Sequence, residues 1–159
     1  MERASRKRRF TLSINGPFVP LLYSEQDSIA YQKLTGNSAK LYGYIKRIVR
    51  TVGTKLQVNT EQEVIFDFTY SQAKKFGFSE KAFLRGLKDL WSKGFIGVVR
   101  IGGRIKSEHG GRVNSQYKLT AYWQTYGKTG EGRWTDRTKF EPNPWVLRSE
   151  PDPKETGKY

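Results

Sequence analysis

Apolar residues recur along the middle of the chain at two different periods, and the switches between those periods outline its elements. Between Asn37 and Val52, the residues Leu41, Ile45, Ile48 and Val52 are spaced by four, three and four. That spacing marks one face of a helix, opened by Asn37 or Ser38 as N-cap and ended by Gly53. From Ser79 to Lys93, Phe83, Leu87 and Leu90 repeat at four and three. This is a second long helix, capped by Ser79 and closed by Gly94 in the left-handed conformation favoured just past helix ends. Tyr70 to Phe76 reads as a shorter helix broken at Gly77, and Ser28 to Leu34 as another stopped at Gly36. Three runs are short and rich in β-branched or aromatic residues: Val64 to Phe68 (VIFDF), Phe95 to Ile101 (FIGVVRI) and Ser115 to Thr120 (SQYKLT). They predict strands, the last two joined as a hairpin through the glycine-rich loop GGRIKSEHGGRVN.

The two ends read differently. Residues 1–9 form a basic arm that cannot bury anything and is expected to be disordered on its own. Residues 10–23 alternate apolar and polar positions, then meet Pro17 and Pro20, as in an extended lead-in or edge strand. Tyr122, Trp123 and Tyr126 predict an aromatic segment packing back on the core, with Trp91 and Trp123 as core or core-edge residues. The expected organisation is therefore an arm over 1–9, one domain over 10–126, and an extended or partly disordered tail over 127–159. Trp134, Phe140 and Trp145 are large for such a tail, and the sequence leaves open whether they dock on this domain or on a partner.

Charge adds a partner class. The chain carries 29 Lys and Arg against 15 Asp and Glu, a net +14, a balance that attracts polyanions. No acid occurs between Asp27 and Glu61, whereas Lys33, Lys40, Lys46, Arg47, Arg50 and Lys55 do, mostly off the apolar stripe. Cysteine is absent, which excludes disulfides, thiol catalysis and zinc fingers, and His109 stands alone among glycines. No apolar run approaches the roughly 18–20 residues of a membrane span, so a cytoplasmic, nucleoid-associated protein without a membrane partner is expected.

The stretch YSQAKKFGFSEKAFLRGLKDLWSKGFI carries several linked features. Ala73 is small where one helix must approach the next, Gly77 follows four residues later where a turn demands positive φ, and Phe76, Phe78, Phe83 and Leu87 occupy apolar contact positions. A basic glycine loop and YKLT follow GFI, and FVPLLYSEQDSIAYQKLTGNSAKLYGYI precedes it all. Over about residues 18–123 the chain thereby resembles the winged helix-turn-helix proteins of bacteria, phages and mobile elements. The resemblance implies an α+β fold: a three-helix core with a short additional helix, and a small antiparallel sheet with a β-hairpin wing. It also implies double-stranded DNA binding, as a transcriptional regulator or a replication or partition protein, with helix 79–93 in the major groove.

On that reading Phe83, Leu87 and Leu90 face inward, leaving Glu80, Lys81, Leu84, Arg85 and Lys88 outward. Lys81 and Arg85 are expected at base edges, Leu84 near a thymine methyl and Lys88 at phosphate. Ser71 and Ser79 precede helices whose unpaired amides attract phosphate, although capping alone explains both serines equally well. In the wing, residues 102–114, Arg104, Lys106 and Arg112 are backbone contacts, and Arg104 or Arg112 suits a narrow minor groove. The arm residues Arg6, Lys7, Arg8 and Arg9 fit a minor-groove arm, a nuclear-localisation signal or a lipid tether, and add affinity rather than specificity. His109 is a bystander.

Catalysis is not expected. Glu61, Glu63 and Asp67 are the only acids near a strand, and Asp67 alternates with Phe66 and Phe68 so that it faces solvent. Two-metal chemistry needs several convergent carboxylates, and no phosphate-cradling GxxxxGKS loop is present. The chain thus reads as a non-enzyme without cofactor or metal. An RNA-binding or protein-interaction module on the same fold is the alternative, and a homodimer through the tail stays open.

Overall fold

A computed structural model describes residues 21–52, 65–104, 112–128 and 133–146. The arm residues Arg6 to Arg9, the lead-in with its prolines, Lys106 and His109 lie outside the described residues.

Ser28 makes two single-turn helices, α1 (Tyr23–Gln26) and α2 (Ile29–Gln32), where one helix over 28–34 was expected. Its backbone is extended (φ −68°, ψ 144°). Its hydroxyl donates to the Glu25 carbonyl at 2.6 Å and accepts the Tyr31 amide at 3.1 Å, closing one turn and capping the next. The long helix α3 runs Gly36–Val52. Gly36 is its first residue and not a stop, because Thr35 is the cap: its Oγ1 accepts the Ser38 amide at 3.2 Å. Ser38, Leu41, Tyr42, Ile45, Lys46 and Val49 form its inward face, so the stripe centres nearer Val49 than the expected Ile48.

The other helices are α4 (Tyr70–Lys75) and α5 (Glu80–Ser92). Strands β1 (Ile65–Asp67), β2 (Ile96–Arg100) and β5 (Gln116–Leu119) build an antiparallel sheet in the order β1-β5-β2. Tyr117 of β5 lies opposite Phe66 on one side and Val98 on the other, an apolar row facing the helices. Between β2 and β5, β3 (Gly103–Arg104) pairs with β4 (Arg112–Val113) as a separate two-stranded ladder. The class is α+β, as expected.

One core joins α3, α5 and the sheet. Phe95, fully buried where α5 passes into β2, stacks on Trp123 (5.9 Å, 7°) and meets Tyr42 at 4.9 Å and Tyr31 edge-on at 6.2 Å. Rings at such offsets add to the area they bury, which is how a chain of modest apolar content closes a core.

Residues 133–146 pack on this domain. The Gly127 amide donates to the Trp134 carbonyl at 2.8 Å, and Trp145 meets Trp91 edge-on at 5.9 Å. Between those contacts Arg137 is only 2 % exposed. Its Nη1 donates to the Trp91 and Ile96 carbonyls at 2.8 and 2.7 Å, and its Nε to Glu141 at 2.7 Å. The guanidinium sits 5.0 Å from the Trp91 ring centroid and 5.1 Å from that of Tyr122. A cation is thus fastened to the C-terminal end of α5, where carbonyls lack helical partners and the dipole is negative. Gly94 permits this closure. Its φ is 82°, and a Cβ there would meet the Trp123 nitrogen at 2.7 Å.

Arg137→Ala should lower stability by about 2–4 kcal/mol, since the Ile96 carbonyl loses its guanidinium donor, the Trp91 carbonyl keeps only backbone donors such as the Gly94 amide, and the ring contacts go with them. Arg137→Lys should recover only a small part, because a single ammonium cannot reproduce the planar fork. Urea unfolding measures this, and a shift below about 0.5 kcal/mol would mean that the 133–146 segment does not fasten the domain.

Candidate nucleic-acid interface

Helix α4 opens at Thr69 through reciprocal capping. Thr69 Oγ1 accepts the Gln72 amide at 3.3 Å, while Gln72 Oε1 accepts the Thr69 amide at 2.9 Å. Ser71 therefore falls inside the first turn, exposed, and does not precede the helix as expected; the pairing of Thr69 with Gln72 three residues on takes the cap position. After Lys75 the chain turns through Gly77 at φ 84°, beside Ala73, which is fully buried. Ser79 then caps α5, its Oγ accepting the Ala82 amide at 3.2 Å. Both the turn glycine and this cap stand where the sequence put them.

The inner face of α5 is Phe83, Gly86, Leu87, Leu90 and Trp91, all buried. Its outer face carries Glu80, Lys81, Leu84, Arg85 and Lys88, all exposed, with Leu84 at 40 %. Gly86 is where α5 crosses α3: a Cβ there would come within 2.8 Å of Leu41 Cδ2. A lateral tie comes from Asp89, whose Oδ2 accepts the Thr35 amide at 3.2 Å while its Oδ1 pairs with Lys93. Burial alone would raise the Asp89 carboxyl, but hydrogen bonds from Lys93, Ser38 and Thr35 outweigh it and hold it below its ordinary value.

Beside this helix an open groove of about 560 Å³ runs to the β3–β4 ladder. Ser71, Glu80, Leu84, Gly103, Asn114 and Trp145 are among its walls. Ser71 and Leu84 are thereby brought together, and the ladder that pairs Arg104 with Arg112 borders the same groove. Lys81, Arg85 and Lys88 are not among its walls and occupy the adjoining strip of α5. Trp145 had given no sequence signal for this position. Asp67 is half-buried and accepts a long bond from Asn114 at 3.4 Å, and among the described residues no three acidic or histidine side chains converge.

One expected surface cation is not on the surface. Lys46 is buried, its Nζ 2.6 Å from Glu25 Oε1, which also accepts the Tyr42 hydroxyl at 2.7 Å. Glu25 Oε2 takes the Leu22 amide at 2.9 Å, so this carboxylate pins α1 to α3. Burial, then the Glu25 charge, push the Tyr42 hydroxyl well above its ordinary pKa. Periodicity could not reveal a partner contributed by another helix.

Compared with known protein families, curated proteins and solved structures, the chain finds no significant match. No helix among the described residues is long and apolar enough to cross a membrane.

Because the Asp89 carboxyl is more acidic folded than unfolded, its stabilisation is present above the unfolded value of about 3.9 and is lost as pH falls through the lower folded value. Asp89→Asn should cost about 0.5–1.5 kcal/mol at neutral pH, a range discounted for its partial exposure. The difference between the two proteins should shrink on acidification below about pH 4. Urea midpoints against pH test this, and a constant difference down to acid pH would remove Asp89 as the titrating tie.

Proposed function

We propose that the chain is a winged helix-turn-helix protein that binds double-stranded DNA, with α5 laid in the major groove and the β3–β4 ladder as the wing beside it. It acts as a transcriptional regulator or as a replication or partition protein of a mobile element, and not as an enzyme. The observation that carries this reading is the bare outer face of α5, where exposed Leu84 stands among Lys81, Arg85 and Lys88. A large apolar side chain left in solvent between cations has little use in folding. Against DNA it meets a thymine methyl while its neighbours reach guanine O6 and N7 or phosphate.

Three further observations support it. The order α3, β1, α4, turn, α5, β2, ladder, β5, with sheet order β1-β5-β2, sets two short-linked helices beside a small sheet. Helix α5 has 13 residues, about 20 Å at 1.5 Å per residue, and a groove about 12 Å wide admits it. The net charge of +14 supplies the sequence-independent attraction that such binding needs.

If about six phosphates are neutralised, affinity for duplex should fall about 10³-fold between 50 and 200 mM salt. After selection of a preferred site from random duplexes, Arg85→Ala should cost about 1–3 kcal/mol on that site and little on random DNA. Lys88→Ala should weaken both alike and lower the salt slope by about 1. Equal losses for Arg85→Ala on both DNAs would sink base reading by this residue, and a preference for single strands or structured RNA would favour an RNA-binding module instead.

A further inference from the structure

Residues 127–140 wall a second hollow, of about 480 Å³, which shares no residue with the groove beside α5. Its size falls within the roughly 300–1,000 Å³ of sites that take small organic groups. Three cations stand in the wall, Lys128, Arg133 and Lys139, all of them exposed. Among the described residues of the wall they face one carboxylate, that of Asp136. Its Oδ1 accepts the Thr138 amide at 3.0 Å and the Thr138 hydroxyl, closing the turn that carries Lys139. The large remaining walls are two rings, Trp134 and Phe140. Cations interleaved with aromatic side chains in one concavity suit a ligand that is both anionic and flat.

Both rings are held in place. Trp134 Nε1 donates to Thr125 Oγ1 at 3.0 Å, its carbonyl accepts the Gly127 amide at 2.8 Å, and its ring meets Tyr126 edge-on at 5.1 Å. Phe140 meets Trp134 edge-on at 5.4 Å and Tyr122 at 6.4 Å. Its amide donates to the carbonyl of Arg137 at 3.1 Å, and the Arg137 side chain is itself locked at the end of α5. Phe140 is nevertheless 54 % exposed. The ring contacts explain how it is held and not why more than half of it stays in solvent. A single exposed ring is ordinary, but one fixed by two others in the wall of a cationic hollow is a preformed platform.

We propose that this hollow binds single-stranded nucleic acid, one base resting against Phe140 and the neighbouring phosphates meeting Lys128, Arg133 and Lys139. The inference does not depend on the reading of α5. Every base has a π-face, so an aromatic platform flanked by cations takes an unpaired strand with little regard to sequence. The ligand is a single strand and not a duplex because paired bases are stacked on one another and offer no free face. It is a strand rather than a free nucleotide because the hollow is open, whereas a site for a small molecule buries about 70–90 % of its ligand. A lipid surface fits less well, since membranes take rings that project, and here rings and cations line a concavity.

The test uses the full chain and a labelled oligothymidine of about ten nucleotides, with binding read by fluorescence anisotropy. Wild type should bind it, and an abasic strand of the same length should bind at least about tenfold less tightly. Phe140→Leu, which keeps apolar bulk and loses the ring face, should weaken the thymidine strand about tenfold, whereas Phe140→Tyr should retain it. Arg133→Ala with Lys139→Ala should weaken it too, and lower the salt slope by about 0.7 for each cation. All these variants should keep the wild-type affinity for a short duplex within about threefold. No strand binding by wild type overturns the inference and leaves the α5 reading intact, whereas strand binding without duplex binding overturns the α5 reading alone. Equal affinity for the abasic strand, or undiminished binding by Phe140→Leu, would reduce the hollow to a patch of charge and overturn the proposal. Should Phe140→Leu unfold, the double variant of exposed cations decides, and its undiminished binding overturns the proposal as well. Tighter binding of thymidine monophosphate than of the strand, or preference for phosphatidylserine vesicles, would also overturn it.

Discussion

A helix that leaves one face open to solvent has to be held by its other face and by its two ends. In α5 this constraint organises the molecule. Ser79 supplies a side-chain oxygen at the start, Gly86 lets α3 approach closely in the middle, and Asp89 ties the helix sideways to the cap of α3. At the finish, Arg137 takes the carbonyl of Trp91 and that of Ile96 together. Four unpaired amides and four unpaired carbonyls flank any helix, so fastening at the ends is a requirement and not an ornament. With those fastenings Lys81, Leu84, Arg85 and Lys88 are left exposed on its outer face.

The same economy governs charge. Where a cation is enclosed, the fold provides a matched set of acceptors: Glu25 for Lys46, and two carbonyls with Glu141 for Arg137. An uncompensated buried charge would cost several kcal/mol, so each enclosed cation comes with its partners. Lys81, Arg85 and Lys88 stay exposed on the outer face of α5. Which cations the core encloses is therefore set by the acceptors it provides.

Local patterns were legible wherever a residue's role is decided by its neighbours in the chain. The inward spacing of Phe83, Leu87 and Leu90, the Ser79 cap, and the positive φ of Gly77 and Gly94 all follow from rules that span four or five residues. The outward position of Leu84 and its flanking cations is the complement of that spacing. Local rules misled where two candidates competed within a turn. Thr69 displaced Ser71 as a cap because Gln72 answers it, and Thr35 opened α3 ahead of Gly36.

By itself the sequence determined that this is a basic, cysteine-free chain of short helices and strands, with one helix whose apolar stripe leaves a cationic side outward. These properties depend on periods of two or 3.6 residues and on the sum of charges, and both are readable along a line. Tertiary structure alone decided that Lys46 goes inside, that Arg137 and Trp145 return to the end of α5, and that Tyr44 stacks on Phe76. Each of those pairings joins segments far apart in sequence. No local period encodes it, because its free energy exists only once the chain has closed around a common core.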